Sequence, residues 1–251
     1  MIGALDRTIA MEMKFWTDRR AELRDLLAAG GDRQNFLHWN PVAWYMFHNP
    51  PPAELHYLQG LPNWPVIRAL LKDPGVGGAA IDPELSSNGN IVHHAYSIFQ
   101  FENVVGRQFA DMGRILEIGG GYGNFARMVI KHGFAGRYAI YDLPECLQLQ
   151  EWYLGDTLNA DEQKQMEYVT ALPQGSDLII GLWSISELPF DLRDRIKALQ
   201  PEYFFIGWQH EFFGLDNIAY FNGWMEDPAY DWINVPMAHT VDNYYLFGKR
   251  K

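Results

Sequence analysis

Up to about residue 110 the apolar positions recur at helical spacing; beyond it, short continuous apolar runs alternate with helical stripes. Leu5, Ile9, Met13 and Trp16 share one stripe and Leu23 and Leu27 another, predicting a helix over about 6–29 that stops at Gly30-Gly31. Residues 34–64 are dense in aromatic side chains (Phe36, Trp39, Trp44, Tyr45, Phe47, Tyr57, Trp64), with His38, His48 and His56 interleaved. Pro50-Pro51-Pro52 forbids one continuous helix there. These rings suit either packing between a cap and the rest of the chain or the lining of a site. Residues 73–90, rich in Gly, Pro, Ser and Asn, predict an irregular loop, and Val92, Tyr96 and Phe99 then predict a helix over 91–109.

From there the pattern changes character. Ile115, Leu116 and Ile118 read as a buried strand, Gly119-Gly120-Gly121-Tyr122-Gly123 as a tight turn, and residues 124–133 as a helix. A second strand ends in Asp142, and a helix over 144–158 follows with Pro144 in its first turn. Strands are expected at 166–170, 177–182 and 203–207, helices at 190–199 and 215–226, and a closing hairpin from 232–236 and 244–247. Between 170 and 177 the usual crossover helix is reduced to a loop. This order predicts an α/β fold: a Rossmann-like, seven-stranded, mostly parallel sheet with an antiparallel terminal hairpin and an N-terminal helical cap. The expected division is a cap or substrate-binding region over 1–109 and a cofactor-binding domain over 110–251.

The glycine turn admits two cofactors. A dinucleotide needs G-x-G-x-x-G, and Gly121-Tyr122-Gly123-Asn124-Phe125-Ala126 fits only its looser form. That register leaves Gly119, Gly120 and Glu117 unexplained. A carboxylate inside an apolar strand is costly to bury without a partner, and a cationic ligand group would be one. S-adenosylmethionine carries an ammonium and a sulfonium and has no pyrophosphate. Asp142 would then accept hydrogen bonds from its ribose hydroxyls.

The run E-I-G-G-G-Y-G over 117–123, followed by Y-D-L-P-E over 141–145, resembles the first two motifs of class I S-adenosylmethionine-dependent methyltransferases. Asp142-Leu143-Pro144-Glu145, Trp152-Tyr153 and Ser184-Ile185-Ser186-Glu187-Leu188-Pro189 more narrowly resemble a family of sugar O-methyltransferases. The resemblance runs from about Gly113 to the C-terminus and is lost at Trp208-Gln209-His210. It implies S-adenosylmethionine bound by Glu117, Gly119, Gly120, Gly121, Tyr122, Gly123 and Asp142, with Leu143 against the adenine. Ala171 and Leu172 would lie at the edge of the adenine, and Trp183 and Ser184 beside the methionine part. The implied reaction is methyl transfer to a hydroxyl of a sugar or glycan-like small molecule. A phenol or carboxyl acceptor, or a non-catalytic cofactor-binding module, would fit the same residues.

A weakly acidic hydroxyl gains from a general base. His210, after the fifth strand, is the first candidate, His93 or His94 the second and Glu187 the third. The competing reading of Glu187 is a cap on the helix over 190–199. His93 and His94 are adjacent on a helix and point in different directions, so at most one is expected to face the site. No spacing calls for a metal site. Net charge −11 argues against broad binding to nucleic acid or anionic membrane. Asp6, Arg7, Glu12 and Lys14 interrupt any apolar leader, and one cysteine, Cys146, precludes an internal disulfide, so a cytoplasmic protein is expected, with monomer and homodimer both open.

Overall fold

The computed structural model describes residues 16–44, 46–47, 49–237 and 239–251. The stripe positions Leu5, Ile9 and Met13, with Tyr45 and His48 of the aromatic segment, lie outside the described residues. Five strands, β1 (Arg114–Ile118), β2 (Arg137–Tyr141), β3 (Met166–Val169), β4 (Leu178–Leu182) and β5 (Tyr203–Gln209), pair in parallel. Two two-residue strands, β6 (Glu211–Phe212) and β7 (Leu215–Asp216), form a separate ribbon. The last two, β8 (Tyr230–Pro236) and β9 (Asn243–Arg250), close the sheet antiparallel, giving the order β3-β2-β1-β4-β5-β9-β8. The α/β architecture and the terminal hairpin are those expected.

The central strands are continuous apolar runs because both of their faces are covered. Ile115, Tyr138, Ile140, Leu178, Ile180 and Phe205 project toward one face, where the helices Gly89–Val105, Asn124–Lys131 and Pro144–Thr157 pack. Leu116, Ile118, Ala139, Ile179, Phe204 and Ile206 project to the other, packed with residues of the helices Phe190–Lys197 and Asn217–Met225. Each such side chain taken fully out of water contributes about 1.5–3 kcal/mol. Strand alternation puts Glu117 on the first face, with Ile115.

Several boundaries differ from expectation for local reasons. The helix expected from 91 begins at Gly89, because the Asn88 side chain accepts from Ile91 N, and stops at Gly106, whose φ is 69°. Residues 109–111 are a separate 3₁₀ turn. β5 continues through Trp208 and Gln209 because β9 supplies partners as far as the Gln209–Asn243 pair, so these two residues are strand and not exit loop. The helix expected from 215 starts at Asn217, capped by the Asp216 side chain accepting from Ile218 N.

Ahead of the sheet, residues 16–28 are helical and lean on the helix Pro144–Thr157: Arg20 pairs with Glu145. The Arg33 guanidinium lies 3.7 Å above the Trp152 ring. Phe36 meets Tyr122 and Tyr153 at 5.7 and 6.0 Å. Trp152 and Tyr153 are therefore engaged in packing against the cap. Among the described residues no helix is long and apolar enough to cross a membrane.

Candidate active site

The turn after β1 is built for close approach. Gly119 has φ 70°, and a Cβ there would lie 2.5 Å from the Ser184 Cβ. Ser184 is itself pinned there, because its hydroxyl donates to the Ile118 carbonyl. Gly123, at φ 97°, leads into the helix Asn124–Lys131. The turn thus brings the ends of β1 and β4 together at the carboxyl edge of the sheet, where ligands bind in open α/β folds.

Two carboxylates face this turn, and their hydrogen-bond partners are neutral. Glu117, 4% exposed, accepts a hydrogen bond of 2.9 Å from the Tyr138 hydroxyl. Its Oε2 would lie 3.4 Å from a Cβ on Gly120, so the side chain points to the turn. Burial, with the nearby Asp142 charge adding, pushes Glu117 up to about 8 against the opposing Tyr138 bond. Asp142 accepts from Gly120 N at 3.1 Å, Leu143 N at 2.8 Å and Gln150 Nε2 at 2.7 Å. Burial still pushes Asp142 up to about 6. Two acids held this way favour a positively charged ligand, which would restore the ionised form that burial disfavours.

The other expected cofactor residues fall into two groups. Gly120, Gly121, Leu143, Trp183 and Ser184 border the turn or the end of β4. Leu143 gives its amide to Asp142, and Gln150 Nε2 donates to the Gly121 carbonyl at 2.9 Å. The Tyr122 ring turns the other way: 2% exposed, it packs on Phe36 and Tyr153, and its oxygen accepts from Asn90 Nδ2 at 3.3 Å. Leu172 packs against the core on the opposite face of the sheet, while Ala171 is exposed in the loop after β3.

The structure separates the four acid–base candidates. His94 Nδ1 lies 2.8 Å from Asn124 Nδ2 and its ring meets Phe125 edge-on at 5.6 Å, so it walls the first turn of the helix after the glycines. Burial, then the His93 and Arg127 charges, holds it well below the usual imidazole range. His93 faces elsewhere, its Nδ1 2.6 Å from Glu54 Oε1 and its ring 5.2 Å from Trp183. His239 Nε2 approaches the same Glu54 oxygen at 2.9 Å. Burial pushes Glu54 up, but the contacts with His239 and His93 outweigh it and the net shift is downward.

His210 stacks on Tyr244 at 4.9 Å beside Trp208, with Nδ1 3.3 Å from Asp242 Oδ1. Trp208 and Tyr244 pack with the core on the face opposite His93, so the two histidines are not brought together. Glu187 accepts from Gln209 Nε2 at 3.3 Å, and the N-cap of the helix Phe190–Lys197 is Pro189, which supplies no side-chain cap.

Four contributors were not singled out from the sequence. Glu54 and His239 converge on His93 only through the tertiary fold. Arg193, fully buried, donates to Ser186 O and Asn217 Oδ1 at 2.6 and 2.7 Å and also to Leu188 O, clamping the one-turn helix Ser184–Glu187. Gln150, at the second turn of a helix whose amphipathic pattern is weak, carried only the signal of a polar residue among leucines.

No protein-family model matches the sequence, and no curated protein matches it. Solved structures do. The chain is similar to magnesium protoporphyrin IX methyltransferase from Synechocystis PCC 6803 with bound S-adenosylmethionine. The identity is 12% and the TM-score 0.52, covering 79% of this chain and 96% of that one. It is also similar to the methyltransferase domain of a bacterial Hen1, at 12% identity and TM-score 0.49 over 62% of this chain and 97% of that one. Mitomycin 7-O-methyltransferase is 15% identical with TM-score 0.47, over 94% and 84% of the two chains. The first likeness shows the fold, the Rossmann-like fold of class I methyltransferases.

Proposed function

We propose that this chain is an S-adenosylmethionine-dependent O-methyltransferase acting on a hydroxyl of a sugar or glycan-like small molecule in the cytoplasm. One observation carries the reading: Glu117 and Asp142 lie buried at a glycine turn with neutral hydrogen-bond partners, titrating upward at about 8 and about 6. A pyrophosphate would add negative charge beside two acids, whereas an ammonium and a sulfonium would relieve them. Glu117 would hold the methionine end and Asp142 the ribose hydroxyls, with Ser184 closing the opposite wall. Bound there, the cofactor supplies an electrophilic methyl group.

What the protein must add is chiefly position, since holding the acceptor oxygen in line is the larger part of such a transfer. Trp183, at φ 66° and held by its indole N–H donating to Asn243 Oδ1 at 2.6 Å, projects from the end of β4 toward Phe47 and His93. The acceptor is placed on this side, under residues supplied by 1–109, with 110–251 holding the cofactor. The groups assigned to its hydroxyl are His93, Glu54 and His239. The sugar class rests on the motif resemblance at 142–145 and 184–189; the aromatic walls Phe47 and Trp183 favour a phenol as the second reading.

Calorimetry with S-adenosylmethionine tests the first step. The expected result is one site per chain, lost in Gly121→Arg while the fold persists; binding of a nicotinamide dinucleotide instead would overturn the reading. Transfer of labelled methyl to panels of nucleotide sugars, glycans and phenols then tests the acceptor class.

A further inference from the structure

Glu54 comes from the helix Pro52–Gln59, His93 from Gly89–Val105 and His239 from the loop between β8 and β9. These distant segments deliver two imidazoles and one carboxylate to a single point. One ligand atom from each lies within 4.8 Å of the other two. Both imidazoles address the same oxygen, Glu54 Oε1, at 2.6 and 2.9 Å. The side chains of Glu54, His93 and His239 are 0%, 1% and 12% exposed.

The cluster is not closed by its own hydrogen bonds. Glu54 Oε2, His93 Nε2 and both ring nitrogens of His239 are buried without a hydrogen-bond partner, His239 Nε2 approaching Glu54 Oε1 without hydrogen-bond geometry. Burying a carboxylate this deeply requires a positive partner or a metal. We propose that Glu54, His93 and His239 form a binding site for one divalent transition-metal ion of the zinc class.

The donor set decides the class. Magnesium and calcium take oxygen ligands, whereas two imidazole nitrogens and one carboxylate oxygen suit zinc and its neighbours. Three protein ligands also leave a coordination position open, as catalytic sites do. The site adjoins the cofactor turn. Phe47 stacks on His93 at 4.3 Å, and Trp183, 5.2 Å from His93, immediately precedes Ser184, the residue pressed against Gly119.

An acceptor hydroxyl in the open position would become more acidic: its O–H bond breaks, the proton leaves to water and the electron pair stays on oxygen. That use rests on the methyl-transfer reading. Metal binding does not.

The test uses the full chain stripped with a chelator and titrated with cobalt(II), a spectroscopically visible substitute for zinc. The expected result is one equivalent bound per chain, with visible bands of a low-coordinate nitrogen- and oxygen-ligated ion, bleached on adding zinc. Glu54→Gln and His239→Ala should each weaken binding by at least about 100-fold, the upper range reported even for outer-shell changes. His239→Ala alters a loop side chain, and both variants are checked by cooperative melting and by calorimetry with S-adenosylmethionine. His210→Ala should bind cobalt as the unaltered chain does. Absence of any bound equivalent in the unaltered chain would overturn the proposal, as would cobalt binding unchanged in both cluster variants. Loss of S-adenosylmethionine binding with cobalt binding intact would instead count against the cofactor reading alone.

Discussion

The Tyr138 hydroxyl donates to Glu117 Oε2 across adjacent strands at 2.9 Å, and it is the hydrogen bond that holds Glu117 back from a still higher titration point. Glu117 titrates at about 8 in the fold against an ordinary 4.5, and Asp142 at about 6 against 3.8. Between those values the folded chain binds more protons than the unfolded one. The stability these two acids contribute is therefore fully present below their ordinary values and is lost as pH rises through about 6 and then about 8. A cationic ligand reverses the preference. Binding S-adenosylmethionine should release a proton, and its affinity should climb with pH, approaching tenfold per unit below the Glu117 titration point and levelling above it. Calorimetry in buffers of different ionisation enthalpy measures the released proton directly. Glu117→Gln should flatten the profile; an affinity indifferent to pH in the unaltered chain would remove Glu117 from the cofactor contact.

Tyr138→Phe separates the hydrogen bond from the acid. Without the phenol, burial of Glu117 is less opposed, so its titration should move further up and the whole affinity profile should shift to higher pH with its shape kept. A profile that stays in place would show that the bond does not set the Glu117 charge.

Gly119→Ala tests the turn. The backbone at φ 70° disfavours any side chain by about 1–2 kcal/mol, and the new methyl would meet the Ser184 Cβ at 2.5 Å. The expected outcome is a lowered melting temperature and loss of measurable cofactor binding. Adding Ser184→Gly should recover part of the stability by removing the contact, though the hydrogen bond to Ile118 O goes with it. No recovery in the double variant would place the defect in the backbone alone.

The reach of the sequence follows from how local each signal is. The unit from β1 to Asp142 was legible because an apolar run, a glycine spacing and a helical stripe all lie within about thirty consecutive residues, the length of such a unit. β5 extends two residues past its apolar run because its length is set by β9, whose Tyr244 and Asn243 pair with Trp208 and Gln209 from 36 and 34 residues away in the chain. Tyr122 was expected at the cofactor on motif position, yet its ring belongs to the packing with Phe36, which no local pattern encodes. Glu54 and His239 carry no local sequence signal and acquire meaning only where three segments meet.

Arg193 shows the same limit from the side of stability. In sequence it is one more charge on a polar helix, but its guanidinium is buried against the carbonyls of Ser186 and Leu188 and the Asn217 side chain. Arg193→Met keeps much of the apolar stem and removes every donor. Leaving buried acceptors unpaired should destabilise the chain by about 3 kcal/mol in chemical denaturation. It should also loosen Ser184 and weaken cofactor binding. Unchanged stability would mean that the loop carbonyls find water when the guanidinium is gone.

His210→Ala is the sharpest contrast between the motif-level reading and the three-dimensional one. A general base in this transfer would contribute about two to four orders of magnitude to turnover. In the structure His210 lies against Tyr244 and Asp242, with neighbours on the sheet face that carries Trp208 and Phe221 and not on the face that carries His93. Once an acceptor is identified, His210→Ala should therefore keep turnover within about tenfold of the unaltered chain, below the range that loss of a general base produces. Glu54→Gln should fall by at least 100-fold (on the order of the general-base contribution) without a matching loss of cofactor affinity. The opposite ranking, a collapse in His210→Ala with Glu54→Gln nearly normal, would move the acceptor to the other face of the sheet.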